Sequence, residues 1–115
     1  MASTSATSPA ETGRTILVIE DERSIAAAVA ARLRSEGYTV EIAPDGPSGV
    51  EMAARIRPDL VVLHLMLPGI DGIAVAEGLR GWTNVPIIVL SVRDAEADKI
   101  AALDAGADDY VTKPF

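Results

Sequence analysis

Three short runs of apolar residues constrain the fold of this chain more than any other feature. They are residues 14–19 (RTILVI), 60–65 (LVVLHL) and 87–91 (IIVLS), each of strand length and rich in branched side chains. A strand that is apolar on both of its faces is typical of a parallel sheet covered by helices. The segment 38–43 alternates instead, which indicates a strand near the edge of the sheet, and 110–112 is a short last strand.

Segments with helical spacing separate these strands. They are 24–36, the helix opened by Asp45-Gly-Pro, 73–80, and 95–105 with Asp94 as its N-cap. The alternating order predicts an α/β fold, a doubly wound parallel sheet of five strands with helices on both faces. Because the pattern ends on a strand, we expect the last helix to be missing. One face beside the last strands should then be exposed or covered by another molecule.

Composition excludes several classes of protein. Seventeen acidic residues against ten basic ones give a net charge of −7, which repels nucleic acid and anionic membranes. The absence of cysteine and the single histidine exclude disulfide scaffolds, thiol catalysis and any metal site with two imidazoles. We interpret 1–13 as a flexible tail without targeting features and 14–115 as the domain, and cysteine-free chains suit the cytoplasm.

Polar residues follow the strands where a parallel sheet of this kind binds ligands, at the carboxyl ends. They are Glu20 and Asp21 after the first strand, His64 in the third, Ser91 in the fourth and Lys113 after the fifth. A close acidic pair attracts a divalent cation such as Mg²⁺. The alternative is that these acids are solvated charges at the start of a helix. No glycine-rich turn follows the first strand and no P-loop is present, which argues against a nucleotide or flavin enzyme.

Four motifs, in order along the chain, resemble the receiver domain of bacterial two-component response regulators. They are VIEDE at 18–22, PDLVVLHLMLPGIDG at 58–72, VLS at 89–91 and AGADDYVTKPF at 105–115. The stretch 98–110 is most similar to the OmpR/PhoB-like branch, which carries a winged-helix DNA-binding domain. The resemblance implies a flavodoxin-like sheet of strand order 2-1-3-4-5 and a signalling module that is not an enzyme. It also implies a histidine kinase as partner, a homodimer through the fourth helix and fifth strand, and DNA binding only through another domain. No membrane association is expected.

The resemblance also implies roles for individual residues. Glu20, Asp21 and the backbone carbonyl of Met66 would hold Mg²⁺. The phosphoryl group would be bound by Ser91 and Lys113, and the side chain of Tyr110 would move in the switch. Each of these last three residues has a structural alternative: Ser91 as a strand-end hydroxyl, Lys113 as a surface lysine and Tyr110 as an ordinary core residue.

One position departs from the family pattern. The family accepts the phosphoryl group on an aspartate in the spacing D-x-x-x-P, whereas this chain has His64 four residues before Pro68. Because an imidazole cannot form an acyl phosphate, we predict that ordinary aspartyl phosphorylation is lost and that Mg²⁺ binding is weakened or absent. The alternatives are a neutral, half-buried imidazole at His64 and, for the whole domain, a phosphorylation-independent interaction or scaffold module.

Overall fold

The structure is a computed structural model that describes residues 13–64, 72–91 and 96–112. Strands and helices alternate through these ranges. The elements are β1 (Thr15–Ile19), α1 (Arg23–Ser35), β2 (Thr39–Ala43), α2 (Gly46–Ile56), β3 (Leu60–His64), α3 (Gly72–Arg80), β4 (Ile87–Ser91), α4 (Glu96–Asp104) and β5 (Asp109–Thr112). Each element predicted from the sequence is present, with ends that differ by one or two residues. The predicted Asp94 cap of α4 lies outside the described residues.

The five described strands form one sheet in the order β2-β1-β3-β4-β5, and every neighbouring pair is parallel. This confirms the predicted α/β class and the strand order 2-1-3-4-5. The alternating segment is indeed an edge strand, because β2 pairs only with β1 among the described strands. The apolar runs β1, β3 and β4 lie inside the sheet, where both faces of a strand are covered or packed.

Helices pack on both faces of the sheet. On one face, side chains of α2, α3 and α4 form a core with alternate strand residues, among them Leu17, Leu63 and Val89. On the opposite face, α1 packs Ala30 against Ile16, Val18 and neighbouring residues. Adjacent residues of one strand therefore belong to different cores, as the two-residue period of a strand requires.

Helix α2 is fixed by its first turn and by one close approach. The Asp45 side chain accepts a hydrogen bond from the Ser48 amide at 2.7 Å, which satisfies one of the free amides at the helix start. Gly49 lies so near Ile19 that a Cβ atom placed there would come within 2.5 Å of the Ile19 side chain. The absence of a side chain at Gly49 thus lets α2 lie directly over the end of β1.

The α1 face carries an open apolar groove of about 570 Å³. Its walls come from α1 and from the outer sides of β3 and β4, with Val29, Leu33, Val62 and Leu90 among the lining residues. Among the helices that the structure describes, none has the length and apolar character needed to cross a membrane.

Candidate cation site

The register of the two central strands brings Glu20 and His64 together. Ile19 of β1 pairs with Leu63 of β3, so the residues that follow them, Glu20 and His64, stand side by side at the carboxyl edge of the sheet. His64 Nδ1 lies 3.2 Å from Glu20 Oε2 and 3.5 Å from Asp21 Oδ1. The sequence expectation that this acidic pair and His64 share one edge therefore holds in the structure.

Glu20 is an unusually buried acid. Its side chain is 4% exposed, its amide donates to the Ala43 carbonyl, and its Oε2 accepts from the Glu22 amide at 3.1 Å. Burial raises the pKa of Glu20 above its ordinary value, and the Asp21 carboxyl adds to this rise. The Glu22 amide and the His64 ring oppose it without cancelling it. The pocket thus holds an acid whose charge needs a positive partner.

The His64 ring presents a nitrogen with no hydrogen-bond partner among the described residues. Nδ1 is buried and lies at ion-pair distance from both acids, yet the N–H direction of the ring points at neither oxygen well enough for a hydrogen bond. Buried polar atoms are rarely left in this state. An ion bound between the three side chains would interact with all of them.

Glu20, Asp21 and His64 each offer one ligand atom, and these atoms lie within 4.8 Å of one another. Such a cluster can hold a divalent cation. It fits the predicted Mg²⁺ only in part, because Mg²⁺ prefers oxygen ligands in octahedral geometry and His64 supplies a nitrogen. The Met66 carbonyl, predicted as a further ligand, lies outside the described residues.

Two of the remaining predicted residues are described. Ser91 is the last residue of β4 and is 2% exposed; it follows Leu90, which pairs with His64, so its backbone lies one step further along the same edge. Tyr110 lies in β5 with its side chain in the core on the α2–α4 face. Lys113 falls outside the described residues. The roles of all three stay predictions.

Sequence reasoning missed two features of this site. The first is the Glu22 amide, which holds Glu20 from the backbone and so leaves no signature in the type of side chain. The second is the unsatisfied Nδ1 of His64, which depends on ring orientation. The sequence signal for this site is the pair of acids directly after a strand. That signal identifies Glu20 and Asp21 but carries no information about the Glu22 amide or the His64 ring orientation.

Comparison with known protein families identifies the family of this chain. The family model described as "Response regulator receiver domain" matches residues 16–115. The chain belongs to the response regulator receiver domain family. This agrees with the fold and with the position of the acidic pair. The resemblance that the motifs indicated is therefore confirmed at the level of the family.

Relatives of this receiver domain include transcription regulators. The chain is 52% identical over 100 residues to the transcriptional regulatory protein KdpE of Mycobacterium tuberculosis, covering 87% of this chain and 44% of the relative. The chain thus spans less than half the length of that relative. OmpR/PhoB-like relatives of this kind agree with the branch that the sequence indicated.

Solved structures match this chain over nearly nine-tenths of its length. The BeF3-activated N-terminal receiver domain of Klebsiella pneumoniae RstA has a TM-score of 0.85 and 37% identity, over 88% of this chain and 86% of that one. A response regulator protein from Burkholderia pseudomallei, described with a phosphorylated aspartic acid, a calcium ion and citrate, has a TM-score of 0.84 and 26% identity. That match covers 89% of this chain and 61% of the other.

Proposed function

We propose that this chain is a receiver domain that does not accept a phosphoryl group on aspartate, because His64 stands where the family has its acceptor. The single observation behind the proposal is the position of His64, at the end of β3 and within 3.5 Å of both acids. That is the position the family motif gives to the acceptor. The domain receives and relays signals without being an enzyme.

The chemistry of the site supports loss of phosphorylation. In a receiver, a carboxylate oxygen attacks the phosphorus of the donor, a new P–O bond forms, and the donor leaves with the electrons of the broken bond. Here the group at that position is an imidazole whose buried nitrogen faces Glu20 and Asp21. A phosphoryl group that approached this nitrogen would meet two acids and no third carboxylate. The site therefore supports no acyl phosphate, and its Nδ1 is poorly placed to accept a phosphoryl group.

The wider role that we propose is transcription regulation in the cytoplasm. KdpE is described as a transcriptional regulatory protein, and receiver domains work with histidine kinases. DNA would be bound by another domain of the parent protein, since this chain carries a net charge of −7. Homodimerisation through α4 and β5 is supported by two apolar side chains that α4 exposes, Ile100 at 51% and Leu103 at 39%.

Phosphorylation with a small donor tests the proposal. The chain is incubated with acetyl phosphate and Mg²⁺, and its intact mass is measured. We expect no phosphate on the chain as it stands and one phosphate on the His64→Asp variant. His64→Asn, which has a similar shape to aspartate but cannot form an acyl phosphate, should remain unmodified. A phosphate on the unaltered chain would overturn the proposal.

The alternative is a phosphorylation-independent interaction or scaffold domain. The apolar groove on the α1 face favours it, because an open apolar surface of this kind suits a protein partner. The same experiment separates the two functions. If the His64→Asp variant folds and binds Mg²⁺ but takes no phosphate, the loss of phosphorylation is not due to His64. That result would favour the scaffold function.

A further inference from the structure

We propose that Glu20, Asp21 and His64 form a site for Zn²⁺, in preference to Mg²⁺. The inference rests on the proposed function, because it concerns the cation held in the same altered receiver site. The substitution that removes the acceptor carboxylate also replaces an oxygen ligand by a nitrogen ligand. The site would then bind a different metal from the Mg²⁺ that the family motif implies.

The distances between the ligand atoms favour this metal. In a tetrahedral zinc site with bonds of about 2.0–2.2 Å, neighbouring ligand atoms lie about 3.3–3.6 Å apart. In an octahedral Mg²⁺ site with bonds of about 2.0–2.1 Å they lie about 2.9 Å apart. His64 Nδ1 is 3.2 Å from Glu20 Oε2 and 3.5 Å from Asp21 Oδ1, so both distances lie closer to the tetrahedral spacing than to the octahedral one. All three ligand atoms lie within 4.8 Å of one another, so small side-chain adjustments would complete the site. The Asp21 side chain is 42% exposed, so its carboxylate can move to adjust the spacing. The same exposure would let water reach a bound metal ion from that side.

The types of ligand point in the same direction. Imidazole nitrogen suits Zn²⁺ and other late first-row metals, whereas Mg²⁺ favours carboxylate, carbonyl and water oxygens. Two acids and one neutral imidazole would bring a divalent ion close to charge balance. An alternative cation, a proton on His64, would satisfy one acid at most through Nδ1, and the ring does not direct its N–H at either oxygen.

Two features of the pocket suggest that something belongs between the three side chains. The nitrogen of His64 is buried without a hydrogen-bond partner among the described residues. The Glu20 side chain, 4% exposed, lies beside the same nitrogen, and its Oε2 accepts a hydrogen bond from the Glu22 amide. A metal ion would bind both groups and would supply a positive partner for the buried acid.

The composition makes this site easy to observe. The chain has no cysteine and one histidine, so His64 is the sole imidazole or thiol that could bind Zn²⁺. Any zinc binding that depends on an imidazole must therefore involve this residue. The nitrogen-15 signals of a single imidazole ring also report directly on which ring atom binds the metal.

Calorimetric titration of the metal-free chain with ZnCl₂ and with MgCl₂ tests the inference. We expect one Zn²⁺ per chain, bound at least about 100-fold more tightly than Mg²⁺. His64→Gln should weaken Zn²⁺ binding at least about tenfold. The matched control Glu51→Gln, which removes an exposed acid on α2, should leave both affinities unchanged. Nitrogen-15 spectra of the unaltered chain should show that Zn²⁺ binds Nδ1, which requires no variant to fold.

Two results would overturn the inference. One is an affinity for Mg²⁺ equal to or above that for Zn²⁺; the other is a Zn²⁺ affinity that His64→Gln leaves intact while the ring signals do not move. Failure of the proposed function is recognised separately, by phosphorylation of the unaltered chain with acetyl phosphate. A chain that prefers Mg²⁺ yet takes no phosphate refutes the metal and leaves the function standing. A chain that prefers Zn²⁺ but is phosphorylated refutes the proposed function and leaves the zinc site standing.

Discussion

Glu20 is buried because of where β1 ends, and this burial determines its chemistry. Its amide still pairs with the Ala43 carbonyl of β2, so the backbone continues one residue beyond the strand and carries the carboxylate into the sheet edge. There the side chain is 4% exposed, with Asp21 and His64 as the titratable groups that face it. A charge in this position is unfavourable unless a cation accompanies it.

The stability of the metal-free protein should therefore depend on pH through Glu20. Because burial raises the pKa of Glu20, the folded chain holds this proton more tightly than the unfolded chain. The resulting stability is fully present below the ordinary value of 4.5 and is lost as the pH rises through the higher folded pKa. Glu20→Gln keeps an oxygen for the Glu22 amide but removes the charge. Its free energy of unfolding, relative to the unaltered chain, should increase across this window by about 1.4 kcal/mol per pKa unit.

Urea unfolding with a chelator present, repeated from pH 4 upwards, measures this difference. Glu51→Gln is the control for removal of an acid, because Glu51 is exposed on α2. If the Glu20→Gln difference varies with pH no more than the Glu51→Gln difference does, burial does not raise the pKa of Glu20.

At the scale of the elements, the sequence predicted what local chemistry dictates. Branched apolar runs gave β1, β3 and β4, and Asp45 correctly identified the start of α2, because each signal lies within a few neighbouring residues. The ends of the helices shifted by one or two residues, since the last turn depends on tertiary contacts as well as on caps. The closeness of α2 to β1 was not predictable, because Gly49 and Ile19 meet only when the sheet is assembled.

Two glycines in helices should respond oppositely to alanine for this reason. At Gly49 a methyl group would meet Ile19 at 2.5 Å, whereas at Gly78 in α3 nothing lies within 4 Å. Gly78→Ala should stabilise the protein by about 0.5–1 kcal/mol through helix propensity alone. Gly49→Ala gains the same propensity but must displace α2 or Ile19, which costs about 1–3 kcal/mol. We expect a net loss for Gly49→Ala, read from urea unfolding of both variants; equal gains would show that α2 is not in close contact with β1.

At the scale of the whole molecule, the site is a product of topology. Glu20, His64 and Ser91 are separated by long stretches of chain, yet the strand order β1-β3-β4 makes their strands neighbours. The winding rules for parallel sheets predicted this convergence, and they placed the acids and His64 at one edge correctly. They could not predict the 3.2 Å approach of Nδ1 to Glu20 or the orientation of the ring, which depend on packing around His64.

Because the site lies at the ends of β1 and β3, a change in its charge should change the free energy of unfolding of the whole domain. His64→Asp places a third carboxylate beside Glu20 and Asp21, where like charges about 4–5 Å apart repel by roughly 3–4 kcal/mol per pair at an effective dielectric near 20. Solvent at the half-exposed Asp21 reduces this, so we expect the metal-free variant to lose about 1–3 kcal/mol of unfolding free energy. His64→Asn, which adds no charge, should lose less.

Mg²⁺ should restore the His64→Asp variant, because an ion that binds only the folded state stabilises it by RT ln(1 + [L]/Kd), about 2.7 kcal/mol at a hundred times Kd. The unaltered chain should gain less from the same concentration, since one of its three ligands is a nitrogen. Thermal unfolding of both proteins, each with and without MgCl₂, gives the four melting temperatures that are compared. If Mg²⁺ raises the melting temperature of the unaltered chain as much as that of the variant, His64 does not weaken Mg²⁺ binding. The third carboxylate would then contribute nothing to cation affinity at this edge of the sheet.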